Sequence, residues 1–341
     1  MTEIYFNEKV TSAADIAVTE QDDLGVGAIV LQLREIRVAG LTQRKRRHRP
    51  PKLPSRKVLV SVLDGLGAVL FPNRLGLPDI REEGLDYYVG HSLDVALREL
   101  LSQIKLELDF SERCRGGNSM EEATQITRDF AKFLPKIRKL LDTDISAAYE
   151  GDPAARSEDE VLVCYPGIHA ILHYRIAHEL HLLGLPLIAR IISEIAHSAT
   201  GIDIHPGATV GEAFFIDHGT GVVIGETAII GNHVRIYQAV TLGAKRFPTD
   251  ENGALIKGNA RHPIVEDDVV IYAGATILGR ITIGRGSAIG GNVWLTHSVL
   301  PGSNVTQAKM NAAPLDAVSA AQSISPEALR KNIKLNPQQH S

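Results

Sequence analysis

Asp203 and His218 stand 15 residues apart in a chain whose aliphatic residues recur every six. A carboxylate beside an imidazole fixes its tautomer and stabilises the imidazolium, leaving the other ring nitrogen free to accept a proton. That is the equipment of a general base. An isolated Asp/His pair is more often a turn cap and a surface ring, so the spacing alone does not decide. The surroundings argue for chemistry. The pair falls within Asp203-Ile204-His205-Pro206 and Asp217-His218-Gly219-Thr220-Gly221, and two further polar motifs follow, Gly225-Glu226-Thr227-Ala228 and Arg261-His262-Pro263.

The elements that must position these residues are written in the same stretch. Ile204, Val210 and Ile216 keep a six-residue spacing; the count slips by two and resumes at Ile224, Ile230, Ile236 and Leu242. After an interruption it continues through Val265, Ile271, Ile277, Ile283, Ile289 and Leu295. Small or β-branched residues such as Ala208, Ala228, Val240, Ala275 and Ser287 fall four places later. Six is neither a helical period nor a hairpin unit; it is the signature of a hexapeptide parallel β-helix, with an inward aliphatic in each short strand. Three hexapeptides make one coil of about 18 residues, which places Asp203 and His218 near one corner on successive coils. The two interruptions, 217–223 and 243–264, carry charged groups and histidines. Function usually sits where a scaffold leaves its repeat.

The expected fold class is therefore α+β, an α-helical domain over 57–200 followed by a left-handed parallel β-helix over 201–301. Residues 1–56 read as a leader, with Ala28–Val38 either helix or strand. Its basic, proline-rich end, RKRRHRPPKLPSRK, is expected to be a solvated linker. Within the helical domain, Leu93 to Ile104 and Ala123 to Leu141 repeat at three and four places. Pro135 is expected to kink or split the second helix, and Asp142–Ala155 to be a polar connection. Ile168–Ala199 reads as helix broken near Gly184 and Pro186. Its histidines, His169, His173, His178 and His181, are expected on packed faces rather than on a metal. Residues 302–341 form a polar tail with one short helix at Pro326–Ile333.

Composition narrows the function classes. A net charge of −4 and a basic run without interleaved aromatics argue against nucleic acid. The longest apolar run, Val58–Phe71, contains Asp64 and is too short to span a bilayer. Two cysteines, Cys114 and Cys164, make no disulfide framework and fit a reducing cytoplasm. No basic segment leading into an apolar stretch opens the chain, so no signal peptide is expected.

The run DIHPGATVG, DHGTGVVIGETAIIG and VTLG resembles the serine O-acetyltransferases, acetyl-CoA-dependent transferases that open cysteine biosynthesis. The resemblance covers roughly residues 145–300, from Asp152-Pro153 and Pro166-Gly167-Ile168-His169-Ala170 to Arg261-His262-Pro263 and beyond. It implies that His218 is the general base acting on the serine hydroxyl and that Asp203 orients it. It implies that Asp152 and Asp217 hold the substrate ammonium and that Arg261 and His262 hold its carboxylate. Gly243, Ala244, Ala273 and Gly291 match positions along the pantetheine arm of acetyl-CoA. No metal is implied. The family's sites lie between solenoids, so a homotrimer or a dimer of trimers is expected. The tail ends Gln338-Gln339-His340-Ser341 rather than in isoleucine, so a stable complex with cysteine synthase through it is not expected. The loop 243–261 is longer than the family's compact one, and the segment after Gly302 lacks the family's Gly-Val-Pro-Ala-Arg pattern.

Three other readings compete. One is a hexapeptide acyltransferase acting on a sugar or amino sugar. Another is a zinc hydratase like the γ-class carbonic anhydrases, using His205, His218 and His233. The third is a non-catalytic scaffold descended from such enzymes.

Overall fold

A computed structural model describes residues 25–43, 52–111, 118–246, 250, 251, 253, 255, 256 and 258–307. The expectations for Cys114, for most of the basic linker and for a helix at Pro326–Ile333 lie outside these residues. Residues 1–52 and 53–341 form two units. The first contains α1 (Val26–Gln43), so the stretch left open between helix and strand is helix.

The second unit begins with seven helices. They are α2 (Arg56–Leu70), α3 (Pro72–Leu75), α4 (Glu82–Phe110), α5 (Ser119–Gly151), α6 (Glu158–Cys164), α7 (Pro166–Leu182) and α8 (Pro186–Thr200). Ser55 caps α2 by accepting from the Val58 amide, and Asn118 caps α5 by accepting from the Met120 amide. The apolar stripe of α4, with Ala96, Leu100, Ile104 and Leu108 buried, packs against α2 and α5. Leu183-Gly184-Leu185 separates α7 from α8, where the break was expected. The start of α8 has no side-chain cap of its own; Glu107 of α4 accepts from the Leu187 and Ile188 amides at 2.8 and 2.7 Å. A carboxylate there satisfies orphan donors and complements the positive helix end.

Two expectations for α5 are corrected. Of the kink or split expected at Pro135, the split does not occur: the helix runs unbroken from Ser119 to Gly151. The ring removes one backbone donor, but Phe130, Leu134, Ile137 and Leu141 bury one continuous face across it. Asp142–Gly151 is not a polar connection but the last turns of the same helix. The misleading residue is Asp144, which is fully buried and paired with Arg175 of α7.

The solenoid follows as fourteen short strands, β1 (Asp203–Ile204), β2 (Thr209–Val210), β3 (Phe215–Ile216), β4 (Val223–Ile224), β5 (Ile229–Ile230), β6 (Arg235–Ile236), β7 (Thr241–Gly243), β8 (Ile264–Val265), β9 (Val270–Ile271), β10 (Thr276–Leu278), β11 (Thr282–Ile283), β12 (Ala288–Ile289), β13 (Trp294–Leu295) and β14 (Asn304–Val305). They form three parallel ladders, β1-β4-β7-β10-β13, β2-β5-β8-β11 and β3-β6-β9-β12-β14. Successive strands in sequence belong to successive ladders, so the chain winds around a triangular prism as the expected β-helix. Every aliphatic of the six-residue repeat is buried.

Register shows how the interruptions are absorbed. Ile204 pairs with Ile224, Ile224 with Leu242, and Ile277 with Leu295, so the slip lengthens only the first coil. The longer interruption lies between β7 and β8, and Ile229 still pairs with Ile264 across it. Two corners require left-handed backbone, a conformation that disfavours Cβ-bearing residues. One is the column Gly201, Gly221, Ala239, Gly274, Asn292; the other is Ala213, His233, Asp268, Gly286, Gly302.

The helices close the open side of the first coil. From α7, Tyr174 donates to the Ala208 carbonyl, Arg175 to Gly211 and His178 Nδ1 to Pro206. From α5, Thr143 and Asp144 accept from the Ala213 and Phe214 amides. An unpaired strand edge is thereby satisfied by side chains.

Candidate active site

Two polar clusters lie on different edges of the prism. The first sits where the β3 ladder turns into the β1 ladder. His218 falls in the slip and has a left-handed φ of 58°, followed by Gly219 at 86°. It belongs to neither corner column, so the strained conformation is local to the slip. The Gly219 position is close-packed, since a Cβ there would lie 2.4 Å from Ile202. The imidazole is 71% exposed, and its Nε2 is 3.8 Å from the Asp217 carboxylate.

Asp217 is buried and held by Arg235 of β6 at 2.5 Å. Arg235 also donates to the Gly151 carbonyl at 2.7 Å, at the end of α5. The next residue, Asp152, accepts from the Tyr165 hydroxyl at 2.5 Å and from the Ala154 amide at 2.8 Å. These hydrogen bonds, Tyr165 first, hold the Asp152 carboxyl below the usual carboxylate range. The same contact pushes the Tyr165 phenol up to about 12. Asp203 opens β1 beside the same corner, but no hydrogen bond or ion pair joins it to His218. Its carboxylate instead clusters with Glu194 and His197 of α8, their ligand atoms within 4.8 Å of one another.

The second cluster sits where the β1 ladder turns into the β2 ladder. Arg261 pairs with Glu226 at 2.7 Å. The Arg261 and His262 amides both donate to the Thr227 hydroxyl oxygen. His262 Nδ1 accepts from the Thr227 amide at 3.0 Å, which puts the ring proton on Nε2. Burial, then the Arg261 charge, push the His262 imidazole down to about 4, so it is a neutral donor near pH 7. The His262 ring packs against Gly225, where a Cβ would lie 2.0 Å from it. His205 shares this edge, and burial first pushes it down to about 4 as well.

The structure thus brings together Asp152, Asp217 and His218, and separately Arg261 and His262; within one chain it does not bring the two groups together. Gly243 and Ala244 lie on the second edge, Ala273 and Gly291 on the first. A Cβ at Gly243 would meet Leu278 at 2.9 Å and one at Gly291 the Ala273 carbonyl at 3.2 Å. The neighbouring coil therefore already demands small residues there. His205, His218 and His233 fall on three different edges. Arg235 and Tyr165 carry contacts that motif reading passed over, and Glu226 and Thr227, within the Gly225–Ala228 motif, gain contacts for which it assigned no role. Spacing gave no clean signal for Arg235: the slip lengthens this coil, and Arg235 pairs in register with Phe215, two residues before Asp217.

No protein-family model matches the chain. It is 59% identical over 266 residues to the plasmid serine acetyltransferase of Synechococcus elongatus, spanning 76% of this chain and 83% of that one. It is 50% identical over 161 residues to the serine acetyltransferase of Bacillus licheniformis, 47% of this chain and 70% of the relative. Among solved structures it resembles serine acetyltransferase 1 of Entamoeba histolytica in complex with L-cysteine, with a TM-score of 0.64 and 38% identity over 72% of this chain and 86% of that one. Isoform 3 from the same organism, in complex with cysteine, aligns with a TM-score of 0.62 and 34% identity over 84% and 90% of the two chains. With the left-handed β-helix, the helical layer that closes it and a relative this similar over most of its length, the chain belongs to the serine acetyltransferase family.

Proposed function

We propose that this acyltransferase moves acetyl from acetyl-CoA to the L-serine hydroxyl by direct attack, in a site assembled from two copies of the chain. The supporting observation is the division of the polar residues between two prism edges. Asp152, Asp217 and His218 offer a base and carboxylates for an ammonium group; Arg261 and His262 offer donors for a carboxylate. A free amino acid presents both groups a few ångströms apart, so one edge of each of two neighbouring solenoids would grip it. A homotrimer supplies that pairing at every interface.

His218 takes the proton as the serine oxygen attacks the thioester carbonyl; the tetrahedral adduct collapses, and the proton leaves with the CoA thiolate. A neutral hydroxyl is a poor nucleophile, and a placed base contributes roughly 10²–10⁴-fold. Asp203 is the proposed orienting carboxylate. Arg261 meets the serine carboxylate with a planar fork that Glu226 holds in place. His262 adds its Nε2 proton. Gly243, Ala244, Ala273 and Gly291 line the two edges along which the pantetheine arm would run. L-cysteine, which the Entamoeba relatives hold, carries the same ammonium and carboxylate and would compete with serine.

No described helix is long and apolar enough to cross a membrane, which fits a cytoplasmic enzyme. Thiol release from acetyl-CoA should depend on L-serine and fall when L-cysteine is added. Turnover with sugar acceptors but not with serine would overturn the assignment.

A further inference from the structure

Arg235 is built into the first edge more firmly than a chance surface cation. Its guanidinium is pinned between the Phe215 and Tyr237 rings, 4.9 and 4.7 Å from their centroids. One terminal nitrogen reaches Asp217 at 2.5 Å and the other the Gly151 carbonyl at 2.7 Å. Its Nε is buried with no hydrogen-bond partner, which costs stability. Arg235 therefore ties together the second coil, the slip in the first coil and the turn carrying Asp152.

We propose that Arg235 is a positioning residue that holds the Asp217 carboxylate in place beside His218 and offsets its charge there. This rests on the reading of His218 as base. An Asp217 carboxylate 3.8 Å from Nε2 would, uncompensated, favour the imidazolium. Arg235 sits on the far carboxylate oxygen and opposes that. Among the described residues, the charged and titratable groups on the segments around His218 are Asp217 on its own segment, Asp203 on β1 with Glu194 and His197 of α8 beside it, Arg235 on β6, Tyr237 after β6, Asp152 after α5 and Tyr165 before α7. Within one chain, among these described residues, Arg235 is the permanent cation; in the assembled site a neighbouring copy would add its Arg261 on the substrate carboxylate side.

The acid limb of kcat/KM for serine reports the base in the free enzyme. In Arg235→Gln it should rise by about one pH unit, Arg235→Lys should return it close to the parent, and Asp217→Asn added to Arg235→Gln should cancel the rise. A limb that stays in place in a folded Arg235→Gln protein overturns the proposal. If that variant does not fold, Asp217→Asn alone is the test: Arg235, now uncompensated, must move the limb downward, and an unmoved limb again overturns the proposal. His218→Ala separates the two ideas. Retained turnover there removes the base reading, whereas an inactive His218→Ala with an unmoved limb in the Arg235 variants removes only the role given to Arg235.

Discussion

Removing the Asp144 carboxylate should loosen the seam between the helices and the solenoid. Asp144 and Arg175 have side-chain exposures of 0% and 3% and meet through two bonds of 2.6 and 2.7 Å. Asp144 also accepts from the Phe214 amide at 2.9 Å, and Arg175 donates to Gly211 at 2.8 Å. Asp144→Ala leaves a buried guanidinium with one carbonyl partner and a buried amide with none. Breaking one side of such a pair costs about 3–5 kcal/mol. At about 2–4 °C per kcal/mol for a unit of this size, the melting temperature should fall by about 10 °C. Asp144→Asn keeps an acceptor for Phe214 and should lose less. Replacing both partners together, Asp144→Leu with Arg175→Met, should recover most of the loss, because no charge is then stranded. Urea titrations followed by far-ultraviolet circular dichroism measure all three. A single Asp144→Ala cost below about 1 kcal/mol, or a double variant no more stable than the single one, would refute the reasoning. Because Asp152 directly follows the end of α5, the same variant should also raise the serine KM.

Further expectations follow from the two edges. His218→Ala should lower turnover by roughly 10²–10⁴-fold with the oligomer intact on size exclusion; unchanged turnover would take the base role away. Arg261→Ala should act mainly on the serine KM, and an unaltered KM would contradict its place on the carboxylate. Refolding His218→Ala together with Arg261→Ala should restore activity near about one quarter of the parent, since random mixing leaves that share of interfaces with both edges native; a mixture as inactive as its parts would put both edges in one chain. Gly225→Ala should displace His262, read as a weaker response to serine with little change in acetyl-CoA affinity. Burial, then His169, push His173 from an ordinary 6.5 to about 4. Between those values the unfolded chain holds a proton that the folded one does not, so stability should fall as pH falls from 6.5 toward 4, and His173→Gln should flatten that slope.

The solenoid was legible because its order is one-dimensional. Ile204 to Leu295 repeat by covalent spacing, and the buried ladder residues are those same aliphatics. The slip was legible for the same reason, and it carries His218. Contacts across elements were not. Asp144 looked like a loop residue because its type is usually exposed, and only the fold reveals Arg175 opposite it. Pro135 looked like a break because local propensity ignores a buried face running past it. The separation of His218 from Arg261 by one prism edge needs the ladder assignment, which period alone does not supply. The assigned role of Asp203 rests on family likeness, while its side chain lies among Glu194 and His197.

The closure of the first coil by α5 and α7 has a consequence for how the chain associates. A bare end of three parallel ladders is a template on which another coil, from any copy, could dock by backbone pairing. Here the carbonyls of Pro206, Ala208 and Gly211 are already taken by side chains. Growth from that end is stopped by chemistry rather than by sequence length. A copy approaching that end would meet helix side chains rather than free strand carbonyls.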